Sequence, residues 1–442
     1  MRYVIIGGDA AGMSAAMQLR KFDSNAEVIT LEKGTIYSYG QCGLPYVISE
    51  LIPSTDHLIA RSPETFRQKY NIDARTNHDV HQINPKSKTV SGQHTISKET
   101  FKITYDKLLI ASGASPTSPN WEGVNLSGVH MLKTIPDAHK MMDDLHEDIQ
   151  NVTVIGGGYI GLEMAESFRM LGKKVSLIHR SPFVGKIFDS DMAQYIHDEA
   201  IKHDIELVVN ESVTDLNGKD AVTSVETDQS TYSTDLVVIS TGIDPNTAFI
   251  KDTGINTGIK GAIKTNHYME TNIKDIYAAG DCALQYHLVK EQDDYIPLGT
   301  TANKQGRIAG MNMAGHPRKF QGITGSSIIK FMDLSLGKTG LSENEAERLN
   351  IPYKSVKIKA TDIAGYYPNA QPIHIKLVYQ KDNRRLLGGQ IIGEKGVDKR
   401  VDVLATALFN KMKVDDIEDL DLSYAPPYNG AWDPIQRAAR RA

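Results

Sequence analysis

Cysteine is scarce: Cys42 and Cys282 are the only two in 442 residues. Two thiols build neither a disulfide framework nor a metal cage, and a reducing compartment keeps both as thiols. Long apolar runs are also missing. The first hydrophobic stretch, "YVIIGG", ends in glycines far short of the roughly 18 residues of a membrane span, and it lacks the basic flank and cleavage site of a secretory leader. The expected location is the cytoplasm. Positive charge is not in excess either. A net charge of −5 leaves no basic face for a nucleic acid, so neither a polyanion nor a membrane is an expected partner. The rest is ordinary for a folded chain: 40% hydrophobic and 23% charged residues exclude disorder, and the length calls for two or three domains.

A pattern of β-branched strand, glycine turn and helix occurs twice, as "RYVIIGGDAAGMSAAMQLRK" from residue 2 and "NVTVIGGGYIGLEMAESFRMLG" from residue 151. Each copy closes with a second strand, "AEVITLEKG" and "KKVSLIHRS", which predicts two βαβ nucleotide-binding units. The apolar strands of "YDKLLIASGASP", "TDLVVISTGIDPN" and "TNIKDIYAAGDCA" each end in small residues suited to passing close to a cofactor. Beyond about residue 325 the glycine turns stop, and strand-like runs with one helical segment predict a separate α+β domain.

Gly156, Gly158 and Gly161 have full GxGxxG spacing between a strand and a helix. The first permits the tight turn, the second lets the backbone approach a pyrophosphate, and the third allows close helix packing. At the end of that unit's second strand stand His179, Arg180 and Ser181, with no carboxylate for a ribose 2′-hydroxyl. Arg and Ser accommodate a 2′-phosphate instead, which favours NADPH, with NADH as the alternative. The N-terminal turn keeps Gly7, Gly8 and Gly12 but has Asp9 in place of the middle glycine. Glu32, 20 residues beyond Gly12, is the acid expected for an unphosphorylated ribose such as that of FAD. Asp281 follows an apolar strand and a glycine, where a carboxylate meets a cofactor polyol or merely closes a turn.

The order "GGDAAG", Cys42 turn, "ASGASP", "GGGYIG", "STGIDP", "YAAGDCA" resembles the two-dinucleotide-domain flavoproteins, the pyridine nucleotide disulfide oxidoreductases, along essentially the whole chain. The resemblance implies an α/β fold with a discontinuous FAD-binding domain (1–115 and 246–324), an NAD(P)-binding domain (116–245) and a C-terminal α+β dimerisation domain (325–442), assembled as a homodimer. It places Gly7, Gly8, Ala11, Gly12, Glu32, Lys33, Ser112, Gly113, Asp281 and Thr301 at FAD. Gly156, Gly158, Tyr159, Ile160, Gly161, Glu163, His179, Arg180 and Gly242 fall at NAD(P)H, with Tyr159 as a lid over the flavin and Glu163 near the nicotinamide.

Members with a redox-active cysteine pair carry a second cysteine five residues after the first, where this chain has Val47. "SYGQC" resembles the single-cysteine branch of coenzyme A disulfide reductases, NADH peroxidases and NADH oxidases. The peroxide- and oxygen-reducing members use a histidine in the N-terminal glycine turn, where Ala10 supplies no proton. "AGYYPNAQPIHIKLVY" and "SYAPPYNGAWDPIQRAARRA" resemble the C-terminal half of coenzyme A disulfide reductases, in which partner-subunit tyrosines reach the cysteine. Tyr424 matches one, and Tyr367 or Tyr366 the other. By the same resemblance, Gln18, Lys21, Ser38 and Gln41 line the coenzyme site, with Arg20 close by; Gln41 stands where Asn is common, which leaves the disulfide's identity open. The implied reaction passes electrons from NADPH through FAD to a mixed disulfide on Cys42, with Tyr424 protonating the leaving thiolate. Cys282 reads as a buried small apolar group. A peroxidase or oxidase, a persulfide reductase, an electron-transfer flavoprotein serving an iron-sulfur partner and a non-catalytic redox sensor are the alternatives. The missing rhodanese-like extension makes a persulfide the less expected substrate.

Overall fold

The computed structural model describes all 442 residues, in two compact units: residues 1–116, 243–286 and 292–323, and residues 117–242, 287–291 and 324–442. No helix is long and apolar enough to cross a membrane.

The first unit is built on a parallel sheet whose strands run in the order Ile276–Ala278, Lys107–Ile110, Arg2–Ile6, Glu27–Leu31, Asp73–Arg75. Successive residues of a strand face opposite sides, so the continuous apolar run of the first strand buries both. Tyr3 and Ile5 pack with Ala11, Ala15 and Leu19 of the helix Ala10–Phe22. Val4 and Ile6 pack with Val80, Ile83 and Val90 of a three-stranded antiparallel layer. The helix Gly299–Met313 lies so close to the first helix that a Cβ at Gly306 would come 2.1 Å from the Ala11 carbonyl oxygen. Only glycine permits that approach.

The second unit holds a parallel sheet ordered Ile205–Val209, Lys174–His179, Asn151–Ile155, Leu236–Ile239, Val129–His130. It also holds a five-stranded antiparallel sheet ordered Ser327–Phe331, Leu334–Gly340, Leu386–Gly393, Pro372–Gln380, Tyr353–Thr361. The helix Val397–Phe409 packs on this sheet, with Val397 and Val401 over Gly337 and Leu404 over Gly389. The α/β class, with two glycine-turn parallel sheets and a mixed C-terminal part, is the one expected from the sequence.

Candidate active site

In the first unit, Gly7 adopts φ +111° and Gly12 lies against it, where a Cβ would come 2.0 Å from the Gly7 carbonyl oxygen. Asp9 is the N-cap of the Ala10–Phe22 helix, yet its side chain makes no capping bond and leaves the first-turn amides for another acceptor. Glu32 directly follows the strand Glu27–Leu31. Its Oε2 accepts from Gly8 N–H at 2.8 Å and its Oε1 from Gly34 N–H at 2.8 Å, which fixes the carboxylate beside the glycine turn with lone pairs left for ribose hydroxyls. Gly113 adopts φ +68° and a Cβ there would meet nothing within 4 Å, so the backbone borders open space. Ser112 Oγ donates to the Asn246 carbonyl at 2.7 Å, tying this turn to residues far along the chain. Gly280, at φ +83°, turns the chain before Asp281, and Thr301 is buried at the start of the long helix. This donor set fits FAD.

Cys42 is exposed, in a one-turn 3-10 helix, Gln41–Gly43, that runs into the short helix Leu44–Ile48. Pro45 is the second residue of that helix, in the first turn, where its missing N–H costs nothing. Ser38, at φ +47°, donates its N–H to the Gly8 carbonyl at 3.0 Å, which docks the cysteine segment on the glycine turn. Gln41 Nε2 donates to Asp9 Oδ2 at 2.8 Å, so the amide of the residue expected at the coenzyme is already engaged. Val47, in the place of a second cysteine, is buried. Cys282 is fully buried, its Sγ 3.4 Å from the Ile110 and Ala279 carbonyl oxygens, and burial pushes its thiol up.

Other expected contacts are engaged elsewhere. Lys33 pairs with Asp79 on the surface, Arg20 donates to the Ala26 carbonyl at 2.8 Å, and Lys21 lies over the Phe22 ring. Gln18 is half-buried on the first helix.

The second unit repeats the turn. Gly156 adopts φ +107°, and Gly161 packs so tightly that a Cβ would overlap the Gly156 carbonyl. A Cβ at Gly158 would meet nothing within 4 Å, which leaves the N-terminus of the helix Tyr159–Met170 open to a pyrophosphate. The Gly157 N–H donates to His179 Nδ1 at 3.2 Å, the same kind of tie that Glu32 makes to Gly8, now with a neutral ring in place of a carboxylate. Burial first, then Arg180 and Lys186, push the His179 pKa down, which keeps Nδ1 an acceptor. Arg180 and Lys186 are exposed beside it, and the spacing of the strand had marked only the first of these. This fits a dinucleotide carrying extra negative charge on its ribose. Tyr159 Oη and Ser327 Oγ lie 2.5 Å apart, and burial pushes the phenol up to about 12. Ile160 is exposed, Glu163 is half-buried one turn on, and the carbonyl of Gly242 accepts from Thr117 N–H at 2.9 Å.

Elsewhere in the second unit Tyr366 Oη lies 3.0 Å from Tyr424 Oη, both exposed. Tyr367 instead donates its backbone N–H to Ala364. The loops carrying the pair are tied by a residue the sequence reading missed. Arg400, 1% exposed, donates to both oxygens of Asp433 at 3.0 Å and to the Asp362 carbonyl at 2.7 Å.

Two glycine turns, one with a ribose acid and one without, define a protein built for two different dinucleotides. The chain belongs to the pyridine nucleotide-disulphide oxidoreductases, whose model matches residues 1–306, with the family's dimerisation domain matching 326–434. It is an oxidoreductase that uses FAD and NAD(P)H. It is 37% identical to a CoA-dependent NAD(P)H sulfur oxidoreductase of Pyrococcus abyssi, over 99% of this chain and 97% of that protein. It is 33% identical to a coenzyme A disulfide reductase of Staphylococcus aureus, over 100% and 99%. Among solved structures, reduced CoADR-RHD of Bacillus anthracis superposes with a TM-score of 0.97 at 36% identity, covering 100% of this chain and 79% of that one.

Proposed function

We propose that this enzyme reduces coenzyme A disulfide with NADPH through Cys42 alone. The observation that carries the reading is the exposed Cys42 docked on the first glycine turn with buried Val47, not a thiol, five residues on. With no neighbouring cysteine in its own turn, the sulfur that Cys42 bonds comes from the substrate. The Cys42 thiolate attacks one sulfur of the disulfide, the S–S bond breaks, a Cys42–S–S–CoA bond forms, and the other coenzyme A leaves as a thiolate. FAD and NADPH, when bound, supply the two electrons that return Cys42 to the thiolate and free the second thiol. The sum is one disulfide, one NADPH and one proton consumed for two thiols and NADP⁺.

Tyr424, paired with Tyr366, is the acid that protonates the leaving thiolate in a homodimer formed through residues 326–434, and it acts on the Cys42 of the other copy. The 3.0 Å pairing favours Tyr366 over Tyr367 as its companion. Tyr424→Phe is expected to lower kcat with the disulfide about 10- to 100-fold while leaving the KM for NADPH unchanged. An unchanged kcat removes the tyrosine from the mechanism. Arg180 and Lys186 bind the 2′-phosphate. Arg180→Ala is expected to raise the KM for NADPH about tenfold and leave that for NADH alone, because a phosphate loses a charge-assisted partner worth about 1.4 kcal/mol. Equal effects on the two nucleotides count against the assignment.

The similarity to a sulfur oxidoreductase favours a second reading, a coenzyme A persulfide as substrate. Chain length does not argue against it, since this chain spans 97% of that relative. Steady-state NADPH oxidation with coenzyme A disulfide, coenzyme A persulfide, oxygen and peroxide tests the reading: fastest turnover with the disulfide supports it, and turnover with oxygen or peroxide alone at the same rate overturns it. A reducing cytoplasm, where coenzyme A is held as the thiol, is the location this chemistry fits.

A further inference from the structure

Asp9 occupies the position where the dinucleotide fingerprint has a glycine, and its side chain makes no capping bond to the helix it precedes. Its two carboxylate oxygens go to the segment just before Cys42: Oδ1 accepts from Tyr39 N–H at 3.1 Å and Oδ2 from Gln41 Nε2 at 2.8 Å. The turn Gln41–Gly43 buries no residue, and Ser38 at the start of the segment adopts a left-handed φ of +47° that costs a non-glycine residue free energy unless neighbours enforce it. Backbone bonds run beside these, from Ser38 to Gly8, Gly40 to Leu58 and Ala60 to Ser38. We propose that Asp9 is a positioning residue for the redox cysteine, clamping residues 39–41 so that Cys42 is presented in one geometry. This rests on the reading of Cys42 as the residue that bonds the substrate sulfur.

The clamp is sensitive to protons. Burial pushes the Asp9 carboxyl up to about 6, with the charge of Glu32 adding to the rise and the bonds from Tyr39, Gln41 and the Ala10 backbone opposing it. Glu32 is the charged group that faces it from just after the strand Glu27–Leu31, and the Cys42 segment brings the thiol itself. Below that pH the carboxyl gains a proton, one oxygen becomes a donor, and the Gln41 amide loses its acceptor. The segment is held above about pH 6 and released below it.

The test uses the FAD-loaded enzyme and two readouts: kcat/KM with coenzyme A disulfide, and the rate of Cys42 alkylation by iodoacetamide followed by intact mass. Asp9→Ala is expected to lower both about tenfold at pH 8, the loss of roughly one to two hydrogen bonds to a charged acceptor, with FAD content unchanged. Asp9→Asn is the neutral counterpart of the protonated carboxyl, with one acceptor left for Tyr39 N–H and no charged acceptor for Gln41 Nε2. It should show at pH 8 the lowered rates that the wild type reaches below about pH 6, with no inflection near pH 6. Wild-type rates in Asp9→Ala, or an inflection near pH 6 that survives in Asp9→Asn, overturn the proposal. If Asp9→Ala loses its FAD, the pH profile of Asp9→Asn alone decides. The alkylation profile reads the clamp even where turnover fails, so it separates a wrong role for Asp9 from a wrong role for Cys42.

Discussion

Cys42→Ser is expected to lower turnover with coenzyme A disulfide by about 10³-fold or more while the protein keeps its FAD and still oxidises NADPH with an artificial one-electron acceptor. A serine hydroxyl is not ionised near neutral pH and cannot exchange with a disulfide, so the bond that must form on residue 42 has no counterpart in the variant. Cys282 cannot substitute for it, being fully buried against carbonyl oxygens. The same variant separates the alternatives. An electron-transfer flavoprotein serving an iron-sulfur partner keeps its full rate when Cys42 is lost. An oxidase loses it, but its wild type consumes NADPH with oxygen alone, a reaction for which Ala10 supplies no acid. If the variant turns over coenzyme A disulfide at the wild-type rate, the single-cysteine mechanism is wrong.

The parts of this site that were legible in the sequence are those in which chemistry and spacing coincide within one supersecondary unit. Gly7, Gly12 and Glu32 span one strand–helix–strand element, so their separation along the chain fixes their meeting in space, and the structure joins Glu32 to Gly8. The same spacing led to His179, although that it takes over the tie to Gly157 through a ring nitrogen could be read only from coordinates. Contacts made across long sequence separations left no trace. Asp9 looked like a defect in a glycine motif until the backbone brought Gln41, 32 residues away, onto its carboxylate. The resemblance places Lys33 at FAD and Arg20 close to the coenzyme site, and within this chain Asp79 and the Ala26 carbonyl engage them. Lys186 sits in a loop with no periodicity, and only the folding of that loop brings its charge to bear on His179. Of the tyrosines, Tyr366 and Tyr367 are indistinguishable as letters, and in the structure it is the Tyr366 hydroxyl that meets Tyr424.

Arg400→Leu is expected to destabilise the enzyme by about 3–5 kcal/mol, because it strands a buried carboxylate without its cation. Arg400 meets both Asp433 oxygens, the Asp362 carbonyl and, at 3.2 Å, Asn429 Oδ1; Asn429 in turn donates to Asp433 at 2.7 Å. Asp362 lies four residues before Tyr366, and Asn429 and Asp433 follow Tyr424 closely, so one guanidinium holds both loops that carry the tyrosine pair. Urea unfolding of the FAD-loaded enzyme at pH 8 measures the loss. The double variant Arg400→Leu/Asp433→Leu should recover much of the stability, because removing both charges removes the desolvation cost that breaking the pair exposes. Stability and catalysis then part company. In the double variant the fold returns, but of the ties described the two loops keep only the bond from Ala364 N–H to the Pro426 carbonyl at 3.3 Å, so kcat should remain depressed about as far as in Tyr424→Phe. A double variant with wild-type kcat would mean that the tyrosines are ordered by something other than this network, and a single variant costing less than about 1 kcal/mol would mean that the pair is not buried in solution.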